Sequence, residues 1–388
     1  MKVASGFSSE LGTCISWGRV PFSEAAKDVT GGNAKIRSSD YLALGEYPVI
    51  DQGKDEIAGY TNDCNALCRA PLPCLLFGDH TRIFKYVSTP FALGADGVKV
   101  LSPTKNFNPR YLFHYFRTVR LPDNAGYSRH FKYLREIAIP KPSLDEQTRI
   151  ATILDKADAI RRKRQEAIQL ADEFLRSVFL DMFGDPAINP KGWRRVKINE
   201  VGKVITGNTP PREQKRYYGN HIEWIKTDNI SAAKYFLTKA TDGLSEAGLG
   251  VGRSVPVGST LVTCIAGSPS SIGNSAYANR SVAFNQQINA IVPYQEFPAL
   301  FVFGLVRASK RLIQERSTAA MKGMVSKSSL ESVDVYDPPE SLKARYASIF
   351  AKVLANIDRQ TTAEADADLL FKAVSQRAFA GELWSLRG

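Results

Sequence analysis

Residues 143–186 read SLDEQTRIATILDKADAIRRKRQEAIQLADEFLRSVFLDMFGDP, and this stretch decides the fold. Ser143 and Glu146 have the spacing of a capping box, which satisfies backbone N–H groups at the first turn of a helix. Gly184 and Pro186 predict its end. In between, apolar residues recur at three- and four-residue steps, the period of one helix face. They are Ile150, Ile153, Leu154, Ala157, Ile160, Ala167, Ile168, Ala171, Phe174, Leu175 and Val178. The helix would be about 60 Å long at 1.5 Å per residue.

A second helical segment follows Pro338 and Pro339 and is closed by Gly381. Its apolar face holds Leu342, Tyr346, Ile349, Phe350, Val353, Ile357, Ala363, Ala367, Leu370, Phe371, Val374 and Ala378. An apolar stripe this long needs a partner. Near-heptad spacing, with alanines at contact positions, favours antiparallel pairing of the two helices in a pseudo-two-fold arrangement. A generic coiled-coil dimerisation element would explain either helix alone equally well.

The sequence contains an internal repeat. Shifting the sequence by 176 positions pairs Trp17 with Trp193, along with six further identities within fifteen positions. A shift of 196 positions pairs the helical segments, for example Arg149 with Arg345. Because the shift grows by about twenty, the middle of the second copy must hold extra residues. Repetition on this scale predicts two homologous units.

The first part of each unit has short β-branched and aromatic runs broken by Gly, Pro, Asn and Asp, which is typical of strands. The predicted strands are Tyr47 to Ile50, Cys74 to Phe77, Val98 to Leu101, Ile222 to Ile225, Thr260 to Ile265 and Asn289 to Val292. The expected fold class is therefore α+β, with two mixed α/β domains that alternate with two long helices. The expected boundaries are 1–142 and 186–338 for the domains, and 143–185 and 339–388 for the helices.

The composition and charge of the chain indicate its class of partner and its location. The chain has 388 residues and a formal net charge of +12, with a pI near 9.4 and a mean hydropathy of -0.21. A basic globular chain attracts polyanions, and nucleic acid is the leading partner, although many globular proteins are basic. No apolar run approaches the roughly 20 residues of a membrane span, and the first residues lack a signal-peptide layout, so a cytoplasmic location is expected.

Catalytic and metal signatures are weak. There is no GxxxxGK[ST] phosphate loop and no glycine-rich cofactor fingerprint. Asp337–Glu340 is similar to the DPP[YF] motif of adenine methyltransferases, but Glu340 replaces the aromatic residue that stacks on a flipped base. Cys64, Cys68 and Cys74 cluster, with His80 as the only candidate fourth ligand, and idle thiols are the simpler interpretation. We expect no catalytic residues, no metal and no cofactor in this chain.

Basic loops carry the candidate DNA contacts, because Lys and Arg bind phosphates and Arg also reads guanine edges. Two glycine-containing basic loops, 126–132 and 321–327, occupy equivalent places in the two units. The full set of candidates is Lys35, Arg37, His80, Arg82, Tyr127, Ser128, Arg129, His130, Lys132, Arg212, Lys215, Arg216, Lys226, Arg253, Lys322 and Lys327. A solvated turn explains any one of them about equally well. The run 161–164, RRKR, points around most of its helix and is interpreted as a solvated or partner-facing belt, with DNA as the alternative.

Together these features resemble the specificity subunits of type I restriction-modification systems. The resemblance rests on the tryptophan-containing start of each unit, the turns at 31–33 and 207–210, the strings 47–53 and 78–81, the string 284–287 and the helix start Glu146–Gln147. Leu342, Lys343 and Ala344 depart from that helix start in the second copy.

The resemblance implies that the two α/β domains are target recognition domains, each of which reads one half of a split, asymmetric, double-stranded DNA target. It also implies helices that set the spacing and dock methyltransferase subunits, two of them expected, and restriction subunits. S-adenosylmethionine, ATP and Mg²⁺ would then be bound by those partners. Helix pairing or docking would use Ile150, Ile153, Leu154, Ala157, Ile160, Tyr346, Ile349, Phe350, Val353 and Ile357. A helical scaffold that does not read DNA and the recognition half of a fused restriction-methylation enzyme remain as alternatives.

Overall fold

The computed structural model describes residues 17–94, 97–122, 129–231, 234–318 and 323–383, without the side chains of 361, 362 and 364–366. The chain divides into two compact units, one formed by Met1–Gln165 with Ala363–Gly388 and the other by Glu166–Thr362. Both division points fall inside long helices, so each unit contains one segment of each. The predicted domain boundaries stay a prediction, because they separate the domains from the helices, whereas the two compact units are divided within the helices.

The first unit is a mixed α/β structure. Its strands are β1 (Arg19–Pro21), β2 (Ala26–Asp28), β3 (Tyr47–Ile50), β4 (Gly59–Thr61), β5 (Cys74–Gly78), β6 (Phe84–Val87), β7 (Ala92–Leu93), β8 (Val98–Pro103) and β9 (Ala138–Pro140). Its helices are α1 (Phe22–Ala25), α2 (Pro109–Thr118), α3 (Phe131–Leu134) and the first part of α4 (Leu144–Phe183). The strands form sheets in the orders β2-β8-β5-β6, β4-β3-β7 and β1-β9.

The second unit repeats this plan with insertions. Its strands are β10 (Arg194–Lys197), β11 (Gly202–Thr206), β12 (Tyr218–Ile225), β13 (Gly243–Leu244), β14 (Ser254–Val255), β15 (Thr260–Thr263), β16 (Ile265–Ala266), β17 (Ser275–Tyr277), β18 (Val282–Phe284), β19 (Ile288–Pro293), β20 (Gly323–Met324) and β21 (Asp334–Asp337). Its helices are α5 (Ile198–Val201), α6 (Glu246–Val251), α7 (Ala299–Ala308), α8 (Lys310–Glu315), α9 (Lys327–Glu331) and the first part of α10 (Glu340–Ala380).

The sheets show the repeat directly. The order β11-β19-β15-β17 matches β2-β8-β5-β6, and β10-β21 matches β1-β9. β12 and β18 are parallel, as are β3 and β7. Helices α6 and α8 and strand β14 have no counterpart among the described residues of the first unit, and they account for part of the predicted extra length. The six predicted strand runs all lie on strands, except that the run at Thr260 is divided between β15 and β16.

The long helices begin and end as their sequence signals predict. Ser143 Oγ accepts a hydrogen bond from Glu146 N at 3.3 Å, so half of the predicted capping box is formed. Gly184 and Gly381 follow the two helix ends with φ of +80° and +79°, a left-handed conformation that glycine adopts without strain. The glycine stop signals are therefore confirmed.

Within each unit, the two helix segments share a hydrophobic core and run in opposite directions. In the first unit Ile150 and Leu154 are fully buried in the core that contains Ala378, and farther along α4 Arg161 lies 3.9 Å from Asp368. In the second unit, Phe183 packs on Tyr346 with ring centroids 5.5 Å apart. Tyr235 links Asp172, which is earlier on α4, to Phe350, which is later on α10, through a hydrogen bond and a ring contact. This order is the one that antiparallel pairing requires.

The predicted pairing residues are buried to different degrees. Ile150 and Leu154 in the first unit, and Tyr346, Phe350 and Ile357 in the second, have less than a tenth of their surface exposed. Ile153, Ala157, Ile349 and Val353 are half-buried. Ile160 is 50% exposed, so its predicted role would need a partner outside its own unit.

Gln147 fixes the start of α4 to the rest of the first unit. Its side chain is fully buried. Its Nε2 donates to the carbonyl oxygens of Asn106 (3.2 Å) and Pro142 (3.0 Å), and its Oε1 accepts from Asn108 N at 2.7 Å. Asn108 in turn caps α2. A single amide therefore joins the starts of two helices.

In the second unit, Lys343 fixes the start of α10 through a different interaction. It is 5% exposed, and its Nζ donates to Asp337 Oδ1 at 2.7 Å. Burial acts to raise the pKa of Asp337, but the hydrogen bonds and charges of Lys343 and Arg194 outweigh it and lower the pKa overall. The departure noted in the sequence thus replaces a neutral amide with an ion pair.

Replacing Gln147 with Ala should destabilise the first unit by about 2 kcal/mol or more, because each buried polar group left without a partner costs about 1–3 kcal/mol. Urea denaturation would measure this as a lower transition midpoint. The control is Gln165→Ala, an exposed glutamine in the same helix, which should change little. Equal effects of the two substitutions would refute the role assigned to Gln147.

Candidate nucleic-acid interface

Three of the sequence segments noted above are in contact in the first unit. Thr81 Oγ1 donates to Gln52 O at 2.7 Å, and the N–H of His80 donates to Gln52 Oε1 at 3.3 Å. These bonds join the 47–53 string to the 78–81 string. The 129–132 segment joins the same cluster through Asp79, as described next.

Asp79 holds the basic segment in place. It is 4% exposed, its carbonyl oxygen accepts from His130 N at 2.9 Å, and its Oδ1 accepts from Phe131 N at 2.7 Å. The connection after β5 and the segment before α3 are therefore one structural unit. We call it the Asp79 junction and define it as residues 78–82 with 129–132.

The Asp79 junction presents basic side chains to solvent. Arg82, Arg129 and Lys132 are exposed, and Arg82 has a φ of +62°, a conformation that few non-glycine residues adopt. His80 is half-buried, and His130 is only 6% exposed, which leaves His130 little surface for a ligand. Tyr127 and Ser128 lie outside the described residues.

The second unit has an equivalent junction built from backbone pairing. Strands β16 and β20 are antiparallel, with Ile265 opposite Met324, and Val325 N donates to Cys264 O at 2.8 Å. Lys327 follows at the start of α9, is exposed and lies 3.5 Å from Glu331. Lys322 lies outside the described residues. The described parts of the two predicted basic loops, 129–132 and 323–327, thus occupy corresponding places in the two units.

A second pair of corresponding connections carries the other candidates. Lys35 and Arg37 are exposed between β2 and β3, and Arg212, Lys215 and Arg216 are exposed between β11 and β12. Lys35 forms an isolated bridge with Leu93 at the end of β7.

The turn at Gly207 is fixed by its neighbours. Asn208 N donates to Phe284 O at 3.1 Å, and Thr209 hydrogen-bonds to Gln286. A Cβ on Gly207 would collide with Asn285 O, so the close approach requires glycine. The turn and the 284–287 string noted in the sequence are therefore adjacent.

Lys226 and Arg253 have internal partners. Lys226 is half-buried and forms an ion pair with Asp242, and Arg253 Nη1 donates to Thr206 O at 2.8 Å while its side chain remains exposed. Each would have to share or exchange that partner to contact DNA.

Sequence reasoning missed two half-buried arginines at corresponding positions of the two units. Arg117 Nη1 lies 3.4 Å from Asp158 Oδ1, with its guanidinium 5.1 Å from the Phe113 ring. In the second unit Arg307 lies 3.2 Å from Asp172 and 5.7 Å from the Phe303 ring. An alignment of α2 with α7 at a shift of 190, intermediate between the two shifts found, would have shown this shared Phe-x-x-x-Arg spacing.

The described residues contain no group of three or more His, Cys, Asp or Glu side chains that could hold a metal ion. Cys64 is exposed, Cys68 is half-buried and Cys74 is fully buried. Burial raises the pKa of the Cys74 thiol to about 12, so this sulfur stays protonated at neutral pH. In the part of the chain that the structure describes, no helix has the length and apolar character needed to cross a membrane.

The chain is a protein of two similar α/β units with exposed basic connections, and comparison with known proteins identifies its family. The model of the type I restriction modification DNA specificity domain matches residues 27–170 and 190–366. The chain therefore belongs to that family, and its role is that of a DNA specificity subunit.

Named relatives agree with this assignment. The chain is 27% identical over 176 residues to the HindI specificity subunit of Haemophilus influenzae, an alignment that covers 43% of this chain but only 37% of that protein. It is 22% identical over 362 residues to the EcoR124I/EcoR124II specificity subunit of Escherichia coli, covering 88% and 87% of the two chains. The crystal structure of the S subunit from M. genitalium covers 95% of this chain and 98% of its own, with a TM-score of 0.63 at 13% identity. That last likeness shows the fold alone.

Replacing Arg129 and Lys132 together with Ala should weaken DNA binding and flatten the dependence of log K on log salt by about 2, since each lost phosphate contact removes about one released counterion. Fluorescence anisotropy with duplex DNA at several salt concentrations would measure both. The control is Lys105→Ala with Lys141→Ala, two exposed lysines outside the Asp79 junction. Binding that stays at the control level would remove this segment from the interface.

The Asp79→Ala substitution tests whether Asp79 positions the 129–132 segment, separately from the effect of its charge. The substitution removes one negative charge, so electrostatics alone predicts tighter DNA binding, whereas loss of the bond to Phe131 N predicts weaker binding. Asp79→Asn is the matched control, because it changes the charge equally but keeps an oxygen acceptor. We expect weaker binding for Ala than for Asn in the same anisotropy assay. Equal or tighter binding by the Ala variant would contradict a positioning role.

Proposed function

We propose that each unit reads one half of a split, asymmetric, double-stranded DNA target. One observation carries this proposal: in both units, exposed basic residues predicted to contact DNA lie on the same two connections, after β2 or β11 and before or within α3 or α9. Such side chains can position a duplex through its phosphates and reach base edges in the major groove. Two corresponding sets of connections on one chain suit a target in two parts.

The long helices would set the distance between the half-sites. Opposite-running segments packed within each unit support a pairing of α4 with α10 as an antiparallel coiled coil with pseudo-two-fold symmetry. We propose the same helices as the docking surface for methyltransferase subunits, two of them, and for restriction subunits. Exposed apolar residues on these helices, such as Leu170, Phe174 and Leu369, are suited to that contact.

Catalysis would belong to the partners. We propose that this chain is not itself an enzyme, and that S-adenosylmethionine, ATP and Mg²⁺ are bound by the methyltransferase and restriction subunits. The proposed action on genomic DNA would place the assembled complex in the cytoplasm.

The decisive experiment is to map methylated adenines in genomic DNA from cells with an intact copy of this chain, from cells without it, and from cells in which residues 17–142 are replaced by those of a relative. We expect a split motif that disappears on deletion. The replacement should change one half of the motif and leave the other half and the spacing intact. Co-purification with the methyltransferase subunit is the control for assembly.

Two results would overturn the proposal. A stable complex without any methylated motif would favour the helical scaffold. A replacement that changed both halves of the motif would contradict the assignment of one half to each unit.

A further inference from the structure

The first unit contains a cleft of about 1070 Å³, lined by residues of β6, α2, the 48–57 segment and α4 up to Gln165. Among the described residues that line it, eight are basic and two, Glu56 and Asp158, are acidic. The lining residues therefore have a net charge of about +6 if all of these groups are ionised. Two carboxylates outside the lining balance part of it, since Asp51 lies 3.8 Å from Lys85 and Asp155 lies 3.5 Å from Arg110. None of the candidate contacts predicted from sequence lies here except Arg82.

The charge is unbalanced at the wall formed by α4. Arg117, Arg161 and Arg162 approach the carboxylate of Asp158 at 3.4, 2.8 and 3.4 Å. Asp158 is only 6% exposed. Three guanidinium groups thus surround one carboxylate, which leaves two positive charges beside a solvent-filled space.

Some of this excess is balanced by weak contacts. Arg161 lies 3.9 Å from Asp368, and Arg162 lies 3.8 Å from Glu56, whose side chain is 87% exposed. The Arg162 pair is exposed, and exposed pairs at such distances contribute little. Lys54 and Arg120, which are also exposed on the lining, form no ion pair within the described part of the chain. An excess of half-buried cations is stabilised by an anion that enters the cleft.

Arg82 connects the cleft to the Asp79 junction, because it belongs to both. A duplex lying on the junction would therefore reach the edge of the cleft at Arg82, and Arg161 and Arg162 of α4 line the same cleft. An acidic protein segment could also satisfy the charge. However, continuity with the candidate nucleic-acid interface favours DNA.

We propose that this cleft is a phosphate-binding site that contacts the DNA backbone beside the half-site read by the first unit. It contributes affinity that does not depend on sequence, and it gives Arg161 and Arg162 of the RRKR run a DNA-binding role. The proposal rests on the proposed function, in that the Asp79 junction meets DNA.

The second unit lacks the same imbalance among its described residues. Its cleft beside α7 has about 500 Å³ and is lined by four basic and two acidic residues. There Asp172 faces one arginine, Arg307, at 3.2 Å. The phosphate-binding cleft is thus a property of the first unit.

The test replaces Lys54, Arg120 and Arg162 with Gln in the full chain. All three side chains are exposed, and Arg117 and Arg161 remain on Asp158, so the buried network is kept. The matched control is Lys27→Gln, Lys105→Gln and Lys141→Gln, which removes the same charge from exposed positions off the cleft. Circular dichroism melting would confirm that both variants fold.

The probes are a duplex that carries the methylated motif and a duplex of scrambled sequence, each titrated at several salt concentrations. We expect the cleft variant to bind both duplexes at least about 10-fold more weakly and to flatten the slope of log K against log salt by about 2–3, with an unchanged preference for the motif. The control variant should keep the wild-type slope to within about 1.

A slope equal to that of the control would overturn the proposal, and a loss of binding to a methyltransferase subunit in that case would identify the cleft as a protein-docking site. A changed preference for the motif would also overturn it, because the cleft would then read sequence. If the wild-type chain assembled with its methyltransferase subunit binds both duplexes equally, the proposed function fails, while the slope measured with scrambled DNA still tests the cleft.

Discussion

Burial of one apolar face on each long helix is the constraint on which both units depend. An isolated helix with such a face exposed gains little from its own backbone hydrogen bonds, and most of its stability comes from packing. In the first unit Ile150 and Leu154 are buried beside Tyr111 and Phe116 of α2. In the second, Phe183 and Tyr346 join the core that α7 supplies. Each α/β layer and its helix segments therefore share one core, and the basic connections are carried on it.

The junctions between these layers and the helices are polar, and the two units differ there. Gln147 uses three hydrogen bonds to carbonyl and amide groups, whereas Lys343 uses the carboxylate of Asp337. A buried amide keeps its partners at any pH, while a buried ion pair depends on the protonation state of its carboxylate. The same fold therefore tolerates two chemically distinct ways of fixing a helix start, provided that every buried polar group has a partner.

Local patterns predicted most of the fold. The period of the helix faces, the glycine stops and the β-branched runs are properties of neighbouring residues, so α4 and the six strand runs were found within a few positions. The Asp79 junction was only half visible: its strings were recognised, but the bond from Phe131 N to Asp79 joins residues 52 positions apart. Asp158 was missed for the same reason, since its partner Arg117 lies 41 positions away. Polar contacts between residues that are far apart in the chain produce no periodic pattern in the sequence.

The arginines at the clefts show how two copies of one unit can diverge while their fold is kept. Arg117 and Arg307 occupy the same helix position, and each lies near a phenylalanine one turn earlier and a carboxylate of α4. Asp172 is half exposed and faces one arginine, whereas Asp158 is nearly buried and faces three. Coulombic attraction strengthens as water is excluded, so the added arginines alter the local field most in the first unit. Two homologous units can thus keep one core and divide affinity unequally between sequence reading and phosphate binding.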